Sequence, residues 1–205
     1  FRRWVVSDKK ILELEKATKQ TELQQLKKQI NPHFLFNMLN NANILVKDAP
    51  DEASQILEKL DNLLRYQLND STRREVFLTA DIQFLTSFLE LEKVRRDHFE
   101  YTIFQEGNME NICIPPLLFI PFVENAVKHN LDSDNLSYVH LYFSVHNKQL
   151  TFRCENSKPR VPVKREGGIG LANVKRRLDL LYESRYTLQI EDKETTYNVN
   201  LHLNS

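Results

Sequence analysis

The spacing of apolar residues changes character twice along the chain. From residue 8 to residue 46 there is no glycine and a single proline, and apolar residues recur three and four apart. This predicts one long helix, with Pro32 as the place for a kink. Its first half is charged and thinly apolar. Leu23, Leu26, Ile30, Phe34, Asn37, Asn41 and Ile44 or Leu45 then make one stripe, and Leu35, Leu39, Ala42 and Val46 make a second on another side, taking ~100° per residue. A helix apolar on two sides has to be packed on two sides. Lys47-Asp48-Ala49-Pro50 is a short connector whose proline suits the first turn of the next helix. Ala53, Ile56, Leu57, Leu60, Leu63, Leu64 and Leu68 make that helix amphipathic. Helices so closely joined pack as an antiparallel hairpin. One hairpin leaves a stripe uncovered, so two copies are expected to pair as a dimeric four-helix bundle.

Polar residues 69–77 read as a linker, and after them the pattern is mixed. A helix over 79–97 is followed by a β-like run from Tyr101 to Phe104 and a proline-bounded helix over 116–131. Alternating strands run from Val139 to Val145 and from Leu150 to Cys154. A glycine-rich turn then leads into a helix over 169–183, and a hairpin from Tyr186 to Leu203 closes the chain. Strands mixed with helices, without strict βαβ alternation, predict an α+β arrangement of helices layered on a mixed sheet.

Composition narrows the classes. With 205 residues and 41% hydrophobic content the chain can build a packed core. Acidic and basic residues number 28 each, so no net field draws it to nucleic acid or an anionic membrane. Cys113 and Cys154 are the only cysteines, form no CxxC pair and sit in apolar stretches. Both are expected to be reduced, buried thiols in a cytoplasmic setting. No apolar run reaches the ~18 residues of a membrane span, and no signal peptide is visible. Phe1-Arg2-Arg3-Trp4 reads as the inner edge of a membrane segment lying upstream, and an arbitrary chain end fits nearly as well. The six histidines are scattered without ligand spacing, which argues against a protein-held metal cluster.

Three stretches carry candidate chemistry. In Gln29-Ile30-Asn31-Pro32-His33-Phe34-Leu35-Phe36-Asn37, His33 falls ~60° from Ile30 on the helical wheel, at the rim of the apolar stripe. A rim imidazole offers one nitrogen to an electrophile while the other is oriented by a neighbour. The bland alternative is a histidine that finishes a bundle edge. In Pro121-Phe122-Val123-Glu124-Asn125-Ala126-Val127-Lys128-His129, Glu124, Asn125, Lys128 and His129 share one polar face. An amide oxygen on Asn125 suits Mg²⁺, Lys128 can neutralise phosphate and Glu124 can orient or deprotonate the attacking group. An exposed helix face with a Glu124–Lys128 pair is the competing reading. The third stretch runs from Gly167 to Leu178 and holds three of the chain's four glycines, Gly167, Gly168 and Gly170. Glycines leading into a helix let backbone N–H groups approach a phosphate. A flexible turn is the alternative. Lys175, Arg176 and Arg177 read as a solvated helix face.

In their order, QINPHFLFN, LLRY at 63–66, LELEKVRR, IPPLLFIPFVENAVKH and GGIGLANVKRRL resemble the LytS-like (YehU-like) branch of the bacterial sensor histidine kinases, from about residue 22 onward. The resemblance implies a dimerisation and histidine-phosphotransfer hairpin over residues 1–72, with 1–22 as a signalling helix, and an ATP-binding α/β sandwich of the GHKL (Bergerat) type over 73–205. It makes His33 the phosphoacceptor, with Asn37 one turn on, Glu124 its assistant and Asn125 the Mg²⁺ ligand. It sets Lys128, His129, Gly168, Gly170, Leu171 and Asn173 around ATP. Where relatives carry an aspartate and glycine that read adenine, this chain has Asn156 and Ser157, and the uncharged amide weakens that bond. The implied activity is ATP-dependent autophosphorylation of His33 within a homodimer, then transfer to an aspartate on a response-regulator receiver domain. The implied setting is the cytoplasmic side of a plasma-membrane protein. Two alternatives stand beside it, a degenerate dimeric scaffold with weak or absent nucleotide binding and a GHKL ATPase that phosphorylates no protein.

Overall fold

The computed structural model describes residues 32–130, 135–147, 149–159 and 169–204, with backbone alone for Pro32, His33, Ile169 and Gly170. Residues 8–31 of the expected long helix lie outside the described residues, as do Gly167 and Gly168.

Helix α1 spans Pro32–Leu45 and α2 spans Pro50–Arg65, with a wide π-type turn at Tyr66–Asp70 extending α2. Pro50 sits at the start of α2 with Asp51 and Glu52 in the first turn, where fixed φ and negative charge both favour initiation. The two helices pack on each other, as their short connector requires. Their buried face differs from the two-stripe reading. Phe34, Met38 and Ala42 of α1 and Ala53, Ile56, Leu60 and Leu63 of α2 are buried, so one face takes residues from both expected stripes. Phe36, Leu39, Ile44 and Val46, with Leu57 and Leu68, remain exposed.

The buried face rests on α3, Leu78–Arg95. Phe34 meets Phe88 with ring centroids 4.9 Å apart, Tyr66 stacks on Phe84 at 4.8 Å, and Lys59 pairs with Glu90 at 3.0 Å. Buried residues surround α3, from Leu78, Ile82 and Phe84 to Leu85, Phe88, Leu89 and Leu91. A helix apolar all round belongs between two layers, and α3 is the wall shared by the hairpin and the sheet.

The main sheet has the order β2 (Phe99–Glu106), β4 (Ser137–His146), β5 (Gln149–Ser157), β7 (Thr196–Leu203) and β6 (Tyr186–Asp192). β2 and β4 run parallel, with Phe99 opposite Ser137, and the other pairings are antiparallel. Val139, Leu141, Phe143, Phe152, Cys154 and Leu201 point inward and are buried. The period of two read from the sequence is therefore that of a sheet covered on one face. Helices α4 (Ile120–His129) and α5 (Ile169–Tyr182) pack together on the inner side. At its centre Phe119 lies 4.5 Å from Phe152 and 5.3 Å, edge on, from Phe143.

Three local expectations are corrected. The helix expected from residue 116 begins at Ile120, because Leu117 adopts a left-handed φ of 56° that no helix tolerates. A two-stranded ribbon pairs β1 (Val76–Phe77) with β3 (Cys113–Ile114), so the supposed linker ends in structure. Cys113 on that ribbon is exposed, and only Cys154 is a buried thiol.

Candidate active site

Helix α4 positions the polar face predicted from its sequence. Ile120, Phe122, Val123, Ala126 and Val127 are buried. That turns Glu124 and Asn125 to a half-buried position and leaves Lys128 exposed and His129 half-buried. Burial pushes the Glu124 carboxyl up to about 7, with the negative charge of Glu92 on α3 adding to the effect. Glu92 is itself buried and pairs with Arg95 at 2.6 Å. A carboxyl that titrates near neutrality is suited to exchange a proton with a reacting group.

Both ends of α4 are held by groups that sequence reasoning assigned no role. At the C-terminal end, the Arg96 guanidinium donates to the Asn130 side-chain oxygen at 3.0 Å, the Asn130 carbonyl at 3.3 Å and the Val127 carbonyl at 3.5 Å. It also donates to Ser137 Oγ at 2.7 Å and lies over the Phe99 ring at 4.6 Å. A cation there satisfies carbonyls that have no partner within the helix and opposes the helix dipole. At the N-terminal end, the Leu117 turn is bonded by Asp81 of α3 and Arg177 of α5. Burial pushes the Asp81 carboxyl up to about 6 against the opposing hydrogen bonds from Tyr66 and Leu117 and the charge of Arg177. Arg177, expected on a solvated face, is buried, whereas Lys175 and Arg176 are exposed. Helical spacing carried the signal: Asp81 falls in line with Leu78, Leu85 and Phe88, and Arg177 in line with Val174 and Leu181, so each charge interrupts an apolar stripe.

The other predicted groups sit on neighbouring elements. Asn156, on β5 opposite Val139 and Tyr197, is buried, and its Nδ2 donates to the Ser157 carbonyl at 2.8 Å. With the amide so oriented, Oδ1 is the atom left to accept a hydrogen bond from an exocyclic amine. Leu171 and Asn173 are half-buried in the first turns of α5, and Gly170 is the second residue of that helix. Because α4 packs against both β5 and α5, Glu124, Asn125, Asn156, Leu171 and Asn173 lie on three adjoining elements. Gly168 lies outside the described residues. His33 is in the first turn of α1 with Asn37 half-buried one turn further. Its side chain lies outside the described residues, and α1 is packed on α2 and α3. The donor set fits the groups the sequence implied: the Asn125 amide offers a hard oxygen of the kind Mg²⁺ takes alongside phosphate and water, and Asn156 an acceptor of the kind adenine meets.

A histidine-bearing helical hairpin, joined through a shared helix to an α+β layer with a carboxyl and amide pair on one inner helix, defines the class of protein. Residues 21–99 match the family described as Histidine kinase. The Sensor protein LytS of Staphylococcus haemolyticus is 30% identical, over 93% of this chain and 35% of that protein. The Sensor histidine kinase YpdA of Escherichia coli K12 is 31% identical, over 58% of this chain and 21% of that protein. A solved structure described as a bacterial phosphotransferase shares the fold with a TM-score of 0.50 at 10% identity, covering 90% of this chain and 96% of that one. Residues 21–99 thus carry the match to the histidine kinase family, and over most of its length the chain is similar to relatives named LytS. It spans 35% of the length of the first of these relatives and 21% of the second.

Proposed function

We propose that this chain is the catalytic core of a sensor histidine kinase in a two-component system, which moves the γ-phosphoryl group of ATP to His33 and from there to an aspartate of a response regulator. The observation that carries this reading is the Glu124 carboxyl, poised near neutrality beside Asn125 on a helix flanked by Asn156 and the start of α5.

Asn125 would hold Mg²⁺ through its amide oxygen, and the ion supplies charge neutralisation at the phosphates. Asn156 accepts the adenine amine through Oδ1. Lys128 and His129 belong to the polar face of α4 that would meet the phosphates, and Gly170, Leu171 and Asn173 offer backbone N–H groups at a helix start, with Gly168 preceding them in the chain. One nitrogen of the His33 imidazole bonds to the γ-phosphorus while the bond to the β,γ-bridging oxygen breaks and ADP leaves. Glu124 orients the ring and takes its proton, and Asn37 follows His33 one turn on along α1. Positioning and charge neutralisation then supply most of the rate enhancement.

The exposed apolar residues Phe36, Leu39, Ile44, Val46, Leu57 and Leu68 support pairing of two hairpins in a homodimer, since a patch of this kind marks an interaction surface. Among the described residues no helix is long and apolar enough to cross a membrane, so an anchor in the plasma membrane would be a separate segment. A scaffold reading is favoured by one feature, Asn156-Ser157 in place of the aspartate and glycine of relatives.

Incubation of the purified chain with γ-labelled Mg·ATP separates the readings. Acid-labile label on the protein, lost in Asn125→Ala, is the expected result. Hydrolysis without protein label would indicate an ATPase, and neither would indicate the scaffold.

A further inference from the structure

A line of buried polar groups crosses from the hairpin to α5, and it meets at one backbone residue. Asp81 in the first turn of α3 is fully buried. Its Oδ1 accepts hydrogen bonds from the Tyr66 hydroxyl, at the end of the hairpin, at 2.6 Å and from the Leu117 N–H at 2.9 Å. The Leu117 carbonyl accepts from the buried Arg177 guanidinium at 2.5 Å, and the Pro116 carbonyl accepts from the same group. Leu117 is thus gripped at both polar atoms of its backbone, from the hairpin side by Asp81 and from α5 by Arg177.

The gripped residue is also the left-handed one, at φ 56°. Side-chain-bearing residues seldom adopt that conformation, and it persists only where surrounding bonds enforce it. Its place in the chain gives the grip a purpose. Leu117 lies three residues before α4, which carries Glu124 and Asn125, and Arg177 lies in α5, the helix that follows the glycine cluster in the chain. Buried charges are retained at a cost unless they hold something in place. Apolar residues at positions 81 and 177 would cover the same surface without fixing the Leu117 peptide.

We infer that Asp81 and Arg177 are positioning residues of the nucleotide site and that Tyr66 joins them to the hairpin, so that the seating of α4 and α5 depends on the state of the histidine-bearing helices. The inference rests on the reading of α4 and α5 as that site. None of the three side chains is required to touch nucleotide. Each acts through Leu117, and a change at the hairpin's end is transmitted to nucleotide affinity by loosening that peptide.

The test uses the full chain in three variants. Tyr66→Phe removes the hydroxyl and keeps the ring that stacks on Phe84, Asp81→Asn removes the charge, and Leu60→Ala weakens hairpin packing without altering a polar group. Backbone hydrogen exchange is followed at residues 117–119 and 171–182, and the affinity for Mg·ADP is measured by calorimetry. The expected outcome is about tenfold faster exchange at Leu117 and early α5, with Mg·ADP bound about fivefold to tenfold more weakly, in Tyr66→Phe and Asp81→Asn but not in Leu60→Ala. Equal acceleration in Leu60→Ala would reduce the network to ordinary packing and overturn the inference. Unchanged Mg·ADP affinity in both polar variants would overturn the positioning role while leaving the nucleotide site intact. Failure of the unaltered chain to bind Mg·ADP would overturn the site itself and this role with it.

Discussion

The sheet half and the hairpin treat their apolar residues differently. In the sheet half Phe119, Phe143 and Phe152 interlock between helices and strands and are closed to solvent. In the hairpin one face is equally closed against α3, while Phe36 is 70% exposed and Leu68 65% exposed on the other. The first region has finished burying its apolar surface within one chain, and the second has not. A catalytic unit that must hold a nucleotide precisely benefits from a complete core. A helix pair that must associate benefits from an open face.

Three measurements sharpen or break this contrast. Phe152→Ala should have the largest effect on the sheet half, lowering stability by about 3–5 kcal/mol in urea unfolding, the range for an aromatic removed from a closed core. Next in size is Glu124→Gln, which should reduce phosphoryl transfer by about 100-fold, a common magnitude for loss of a general base. In the unaltered chain, the same rate should rise with pH through about 7, because burial holds the Glu124 proton to higher pH than an ordinary carboxylate and only the deprotonated form accepts the imidazole proton. A profile unchanged by Glu124→Gln would remove Glu124 from proton transfer. The smallest change in stability is expected for Phe36→Glu, within about 0.5 kcal/mol for an exposed position. The same substitution should shift the chain from dimer to monomer in sedimentation. A loss as large as that of Phe152→Ala would mean that Phe36 belongs to the chain's own core.

Much of this arrangement was legible in the residues, and what was missed shares a cause. The hairpin followed from a short connector with Pro50 at a helix start, and the strands followed from alternation at 139–145 and 150–154, which lies inside the observed strands 137–146 and 149–157 where inward residues are buried. The polar face of α4 followed from helical spacing alone. Leu117 was hidden because its left-handed turn is enforced from outside, by Asp81 and Arg177, and nothing in IPPLLF marks it. Arg177 lies in a basic run that looks solvated unless the buried stripe through Val174 and Leu181 is followed across it. Arg96 carries no mark of its own within LELEKVRR, since its partners Asn130 and Ser137 lie 34 and 41 residues away. The ribbon of Val76–Phe77 with Cys113–Ile114 is two residues deep, too short to show a period. Pairings set by tertiary contact escape a reading built on local spacing.

In the proposed reaction the γ-phosphoryl group comes to rest on the imidazole of His33. Mass spectrometry of the purified chain after brief exposure to Mg·ATP, with digestion kept at alkaline pH, locates the modification directly. The account predicts one phosphate on the peptide containing His33, absent in His33→Gln. A phosphate on any other residue, retained when His33 is replaced, would contradict it.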